Sequence, residues 1–129
     1  MTSSLGKLGE AYAAAYLTQL GYTLVAANFT LPVGRNRRGA VINAEIDLVA
    51  YDDDVLCFVE VKTRAADDPT PEDQVNAVKQ HQITKCAKGY LGRYGFPQPP
   101  ARFDVVAIVW PGGGSPQVRH TKGAFEATF

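Results

Sequence analysis

The sequence predicts an α/β fold in which helices flank a mixed β-sheet, in the order α-β-β-β-α-β with a short edge strand at the end. Three observations carry this prediction. Residues 4–20 and about 71–91 repeat apolar residues at helical spacing and carry helix start or stop signals. Between them lie three runs rich in Val, Ile, Leu and Phe, as strands are. The late run RFDVVAIVW (102–110) is almost continuously apolar, as expected of a central strand covered on both faces. With 129 residues, about half of them apolar and a fifth charged, the chain is expected to form a single domain over 1–129 with a real core.

In the first helix, Leu5, Leu8, Tyr12, Ala15 and Tyr16 form the expected apolar stripe, and Gly21 is the expected stop. Gly6 and Gly9 weaken its first turns, which suggests a close approach to a neighbouring element. YTLVAANF (22–29) reads as a strand. PVGRNRRGAVIN (32–43), with Pro, two Gly and three Arg, reads as a mobile loop. EIDLVAYDDDVLCFVEVKTR (45–64) reads as two strands joined by aspartates. Thr70-Pro71-Glu72-Asp73 offers an N-cap threonine, a first-turn proline and first-turn acids for the second helix. GRYGFPQPP (92–100) ends that helix, and QVRHTKGAF (117–125) follows the Gly-rich turn after the late strand.

No apolar run approaches the roughly 18 residues that would span a bilayer. The N-terminus lacks a secretory pattern, and Cys57 and Cys86 stand far apart without metal-ligand spacing. A cytoplasmic protein with buried free thiols and no membrane partner is expected. Net charge is zero, which argues against a strongly basic nucleic-acid binder. The halves differ, however. Residues 1–73 hold six Lys/Arg against eleven Asp/Glu (−5), and residues 74–129 hold seven against two (+5). The asymmetry hints at nucleic-acid contact, or vanishes if the halves interleave.

The charges inside the strands are the informative feature. Glu60 and Lys62 must share one face of their strand, and Glu45 and Asp47 one face of theirs. A two-residue turn at Asp53-Asp54 pairs Tyr51 with Leu56, and then sets Asp47 opposite Glu60 and Glu45 opposite Lys62. A turn at Asp52-Asp53 keeps the four together, offset by two, whereas a three-residue loop separates the pairs. Facing carboxylates repel and call for a cation, and hard oxygen ligands suit Mg²⁺. A nearby lysine can stabilise a phosphate or help activate a metal-bound water, so the set reads as apparatus for phosphodiester hydrolysis. Cross-strand Glu–Lys pairing on a half-exposed hairpin is the alternative, weakened because Leu56 and Phe58 share the face of Glu60 and Lys62.

Asp47 followed by Glu60-Val61-Lys62 resembles the PD-(D/E)XK nuclease signature. GKLGEAYAAAYLTQLGY (6–22), AEIDLVA (44–50), FVEVKTR (58–64), AVKQHQITKCAKGYL (77–91), RFDVVAI (102–108) and KGAF (122–125) together resemble the bacterial UPF0102 (YraN-like) family. That family is related to Holliday-junction resolvases and restriction endonucleases. The resemblance implies a restriction-endonuclease-like core, with Asp47 and Glu60 as metal ligands and Lys62 as the catalytic lysine. It also implies that Glu10 approaches the metal or its water, with Glu45 as an accessory acid. Ala44, where the family usually has Gly, and a longer basic loop at 32–43 depart from the pattern.

On the second helix, Val75, Val78, Cys86 and Tyr90 form an apolar stripe that also contains Lys79 and Gln82. Those two polar groups point toward phosphate or metal-bound water, or snorkel to the helix edge. Arg35, Arg37, Arg38, Lys85 and Lys88 are expected to meet nucleic-acid phosphates. Thr63 and Arg64 could do the same or simply end the strand in solvent. His81 and His120 have no evident partner and read as surface residues. The resulting expectation is a Mg²⁺-dependent endonuclease, with Mn²⁺ as a substitute ion, acting on DNA and in particular on branched or structured DNA. The alternative is a nucleic-acid-binding module with weak or no hydrolysis. Nothing in the sequence excludes a homodimer.

Overall fold

The computed structural model describes residues 4–66, 75–111 and 113–128. Its elements are α1 (Ser4–Gln19), β1 (Thr23–Arg35), β2 (Val41–Asp52), β3 (Val55–Ala65), α2 (Ala77–Leu91), a 3₁₀ turn (Gly92–Tyr94), β4 (Ala101–Trp110) and β5 (Gln117–Phe125). The five strands form one sheet in the order β1-β2-β3-β4-β5. Only β3 and β4 run parallel, and α2 lies in the connection between them, as a parallel crossover requires. The predicted α/β class and element order stand, and the terminal segment is a full nine-residue edge strand on β4.

Each helix covers one face. Under α2 lie Ala44, Ile46, Val49, Leu56, Phe58, Phe103 and Val105. Under α1 lie Leu48, Ala50, Cys57, Val59, Val106 and Ile108. Burying a large apolar side chain of this kind contributes roughly 1.5–3 kcal/mol, so both faces hold the sheet between the helices. Both cysteines are buried and free, as expected. Among the described residues no helix is long and apolar enough to cross a membrane.

Several details differ from the sequence expectation. In α1 the buried positions are Gly9, Ala13 and Leu17, while Leu8 and Ala15 face solvent. Small residues win the first two of these places because the helix lies close to β3. A Cβ at Gly9 would fall on the Thr63 hydroxyl. The segment 32–43 is not a mobile loop. β1 and β2 extend into it, Pro32 is tolerated because β1 is an edge strand, and only 36–40 turns. The Asn36 side chain closes that turn by accepting from the N–H groups of Arg38 and Ala40. Arg35 donates 2.6 Å to the Gly39 carbonyl across it.

The Thr70-Pro71-Glu72-Asp73 start signal lies outside the described residues. α2 itself is capped by Asn76, whose side chain accepts from Lys79 N–H at 2.9 Å. Val78, expected on the buried stripe, is 70% exposed, and Ile83, Thr84 and Ala87 join Cys86 and Tyr90 inside. His81 is half-buried, its Nδ1 3.3 Å from Thr128 Oγ1.

His120 is not a surface residue. Its side chain is 5% exposed, and Nε2 lies 2.9 Å from Asp104 Oδ2 on the neighbouring strand. Arg102 pairs with Asp104 at 2.9 Å and with Asp52 at 2.8 Å, and donates to Tyr22 Oη at 2.7 Å. Burial alone would raise the Asp104 carboxyl. His120, Arg102 and the Gly123 N–H outweigh it and hold the group below the usual carboxylate range. This network ties the Asp52 end of β2 to β4 and β5, away from the acids further along the hairpin.

Candidate functional site

The site begins with the β2–β3 hairpin. Asp53, at φ 53°, makes the tight turn, and the strands pair Asp52–Val55, Tyr51–Leu56 and onward to Leu48–Val59. Asp47 and Glu60 would pair next, but there the backbone ladder stops. The Asp47 carboxylate takes the next position, accepting from Val61 N–H at 2.8 Å. The strands therefore separate at the two acids.

The separation has a local cause. Ala44 and Ile46 pack under α2, whereas Leu48 and Ala50 pack under α1. Strict alternation would keep all four on one face, so β2 changes phase at Asp47. On β1 the pairs Ala27–Leu48 and Phe29–Ile46 place Asn28 opposite Asp47. Asn28 has φ 52°, a left-handed conformation that asparagine tolerates better than most residues.

The phase change gathers three carboxylates from two elements. One oxygen each of Glu10 (α1), Glu45 and Asp47 (β2) lie within 4.8 Å of one another. Asn28 Nδ2 donates to Glu10 Oε1 at 3.0 Å and to Glu45 Oε1 at 3.4 Å, holding two acids with one amide. Asp47 and Glu60 are 6% and 9% exposed. Burial first, then the touching Glu60 carboxyl, push Asp47 up to about 8, against the pull of the Val61 N–H. Burial, then Asp47, raise Glu45 as well. Glu60 Oε2 is buried without a hydrogen bond, and the Lys79 ammonium stands 3.8 Å from it.

Asp47, Glu60, Glu10 and Glu45 are thus brought together, and Lys79 reaches them from α2. Glu45 does not lie opposite Lys62. It pairs across β1 with Thr30 and borders a cleft with Lys7, Glu10 and Asn28 on the α1 side. Lys62 is half-buried and, by alternation from Leu56 and Phe58, shares the α2 side of β3 with Glu60. Thr63 packs against Gly9 on the opposite side, and Arg64 is half-buried on β3. Arg37 and Arg38 are exposed at the β1–β2 turn. Lys85 and Lys88 are exposed on α2, Lys85 donating to the Val33 carbonyl at 3.3 Å. Gln82 is half-buried and borders a cavity rather than the acids.

Sequence reasoning missed Asn28. An asparagine inside the strand-like run AANF was the available signal, since Asn is depleted in strands. The assembled donors are carboxylate oxygens, one of them buried and unsatisfied. Such a set suits a hard divalent cation such as Mg²⁺ or Mn²⁺.

Comparison with known proteins places this chain among relatives. A family described as "Uncharacterised protein family UPF0102" matches residues 9–108. A UPF0102 protein of Symbiobacterium thermophilum is 41% identical over 128 residues, covering 98% of this chain and 100% of its own length. One from Geobacter sulfurreducens is 42% identical, covering 97% and 91%. One from Geotalea uraniireducens is 39% identical, covering 98% and 92%.

Proposed function

Since this chain belongs to the UPF0102 family, whose description assigns no activity, we propose its function from the site itself: a Mg²⁺-dependent endonuclease that hydrolyses phosphodiester bonds of DNA. The supporting observation is the crowding of Glu10, Glu45 and Asp47, with Glu60 against Asp47 and a buried Glu60 oxygen that no protein hydrogen bond satisfies. Burying mutually repelling carboxylates costs stability unless a cation joins them.

Asp47 and Glu60 would hold the ion, with Glu10 and Glu45 accepting from its waters. When bound, a divalent ion polarises the scissile phosphate and lowers the pKa of a coordinated water. The chain's own residues do the rest. Asn28 keeps Glu10 and Glu45 oriented. The Val61 N–H fixes one Asp47 oxygen and leaves the other for the ion. Lys62, on the Glu60 side of β3, presents an ammonium to the phosphate, where charge builds as the bond breaks. Lys79 offsets the Glu60 charge before metal and substrate arrive.

Purified protein incubated with Mg²⁺ or Mn²⁺ and linear, flapped and four-way DNAs tests this reading. Metal-dependent cleavage of at least one substrate, abolished by Glu60→Gln, is expected. Binding without cleavage of any substrate would replace the nuclease by a nucleic-acid-binding module on the same fold.

A further inference from the structure

A cavity of about 460 Å³ lies between the β1–β2 hairpin and the first turns of α2. Its size falls in the range of sites that enclose a flat ring system. Val33 and Ile42 of the hairpin and Val78 of the helix supply apolar walls. Arg35 and Lys85 stand among its lining residues, and no described lining residue is acidic. Gln82 adds an amide with both donor and acceptor. Val78 is 70% exposed on the first turn of α2, open to a ligand in the cavity.

We infer that this groove receives an unpaired base of a DNA strand. The inference rests on the proposed nuclease reading and names the kind of substrate strand that the site takes. An apolar slot flanked by two cations complements a nucleotide, whose flat base is bordered by phosphates. Bases within a duplex are stacked and turned toward their partners, so only an unpaired or extruded base can enter such a slot. Gln82 can hydrogen-bond the edge of the base. Arg35 and Lys85 keep donors free for phosphates after their contacts with the Gly39 and Val33 carbonyls.

Lys79 links this stretch of α2 to the acid cluster. Gln82 follows Lys79 by three residues on α2, so the two share a helix face about 4.5 Å apart along the axis. Lys79 reaches Glu60. A strand with its base beside Gln82 therefore runs its backbone along α2 toward the acids. This geometry selects DNA with an unpaired segment beside the scissile bond and disfavours blunt duplex.

Fluorescence anisotropy in EDTA, comparing a single strand with a blunt duplex of the same sequence, tests the inference without hydrolysis. Wild type should prefer the single strand by about tenfold, the scale of one base stacked on a protein surface. A 2-aminopurine in that strand should change its emission on binding. Val78→Gln changes an exposed side chain, and Val33→Gln changes the opposite wall. Both should bring the preference toward unity. Equal affinity of wild type for the two DNAs, or a preference undiminished in both variants, would overturn the groove and leave the nuclease reading standing. Binding of neither DNA would overturn the groove, while the nuclease reading is judged by cleavage in the presence of metal.

Discussion

Replacing Asp47 by Asn tests the physical premise of the site before any substrate is added. The amide keeps the shape of the carboxyl, its oxygen can still accept from Val61 N–H, and its NH₂ can donate to Glu60 or Glu45. The charge is what disappears. The Asp47 carboxyl rises from 3.8 to about 8, about four units, and each unit is worth about 1.4 kcal/mol. The folded protein thus keeps a proton that the unfolded chain releases near pH 4. The contribution of Asp47 to the stability of the metal-free protein is therefore fully present below that point and is lost as pH rises through about 8. Carried by Asp47 alone, the fall would be roughly 5 kcal/mol. Lys79, close to the neighbouring Glu60, returns part of that cost, so the variant should gain about 2–3 kcal/mol near pH 8.5 and little near pH 5. Urea unfolding in EDTA at those two pH values measures both numbers. Millimolar Mn²⁺ should then stabilise wild type and leave Asp47→Asn unmoved, because an ion stabilises only the state that binds it. A variant less stable than wild type near pH 8.5 would show that Asp47 is a structural ion-pair partner, and the repulsion argument would fail.

Other substitutions probe the supports. Gly9→Ala should cost about 1–3 kcal/mol by driving a methyl into Thr63, and Gly9→Ala with Thr63→Ala should recover only part of it, because the Cβ that alanine keeps at 63 also stands in the way; chemical unfolding reads both. Asn28→Asp places an acid where one amide holds Glu10 and Glu45, and should destabilise the EDTA-treated protein by about 1–2 kcal/mol at neutral pH, with a smaller loss near pH 5. Asp104→Asn leaves Arg102 and His120 without their buried partner and should cost about 3–5 kcal/mol. The Asp104 carboxyl is held low, so its contribution is present above about pH 4 and lost as pH falls below it, visible as the acid limb of a wild-type stability profile that Asp104→Asn flattens.

The hairpin was legible in the sequence because its register follows from a two-residue turn, and Asp53-Asp54 makes that turn. From that register the meeting of Asp47 and Glu60 could be anticipated. The place of Glu45 could not. Alternation assumes an unbroken strand, and β2 changes phase where a side chain replaces the backbone as acceptor. Asn28 escaped for a related reason, since its left-handed backbone sits opposite the irregularity at Asp47 on the neighbouring strand. The stripe of α1 was misread because apolar periodicity favours large residues, while close packing on β3 selects Gly9 and Ala13. His120 seemed partnerless because its acid lies sixteen residues earlier, across the β4–β5 pairing. Arginines in a Gly-containing stretch suggested a loop, yet one asparagine side chain suffices to close a hairpin there.

The claim that the carboxylates form a metal site is tested most directly by anomalous diffraction from crystals soaked in Mn²⁺. The account predicts a peak within about 2.0–2.2 Å of carboxylate oxygens from both Asp47 and Glu60, absent from Asp47→Asn crystals treated identically. Manganese bound only at exposed acids such as Asp53 and Asp54, with none between Asp47 and Glu60, would contradict it.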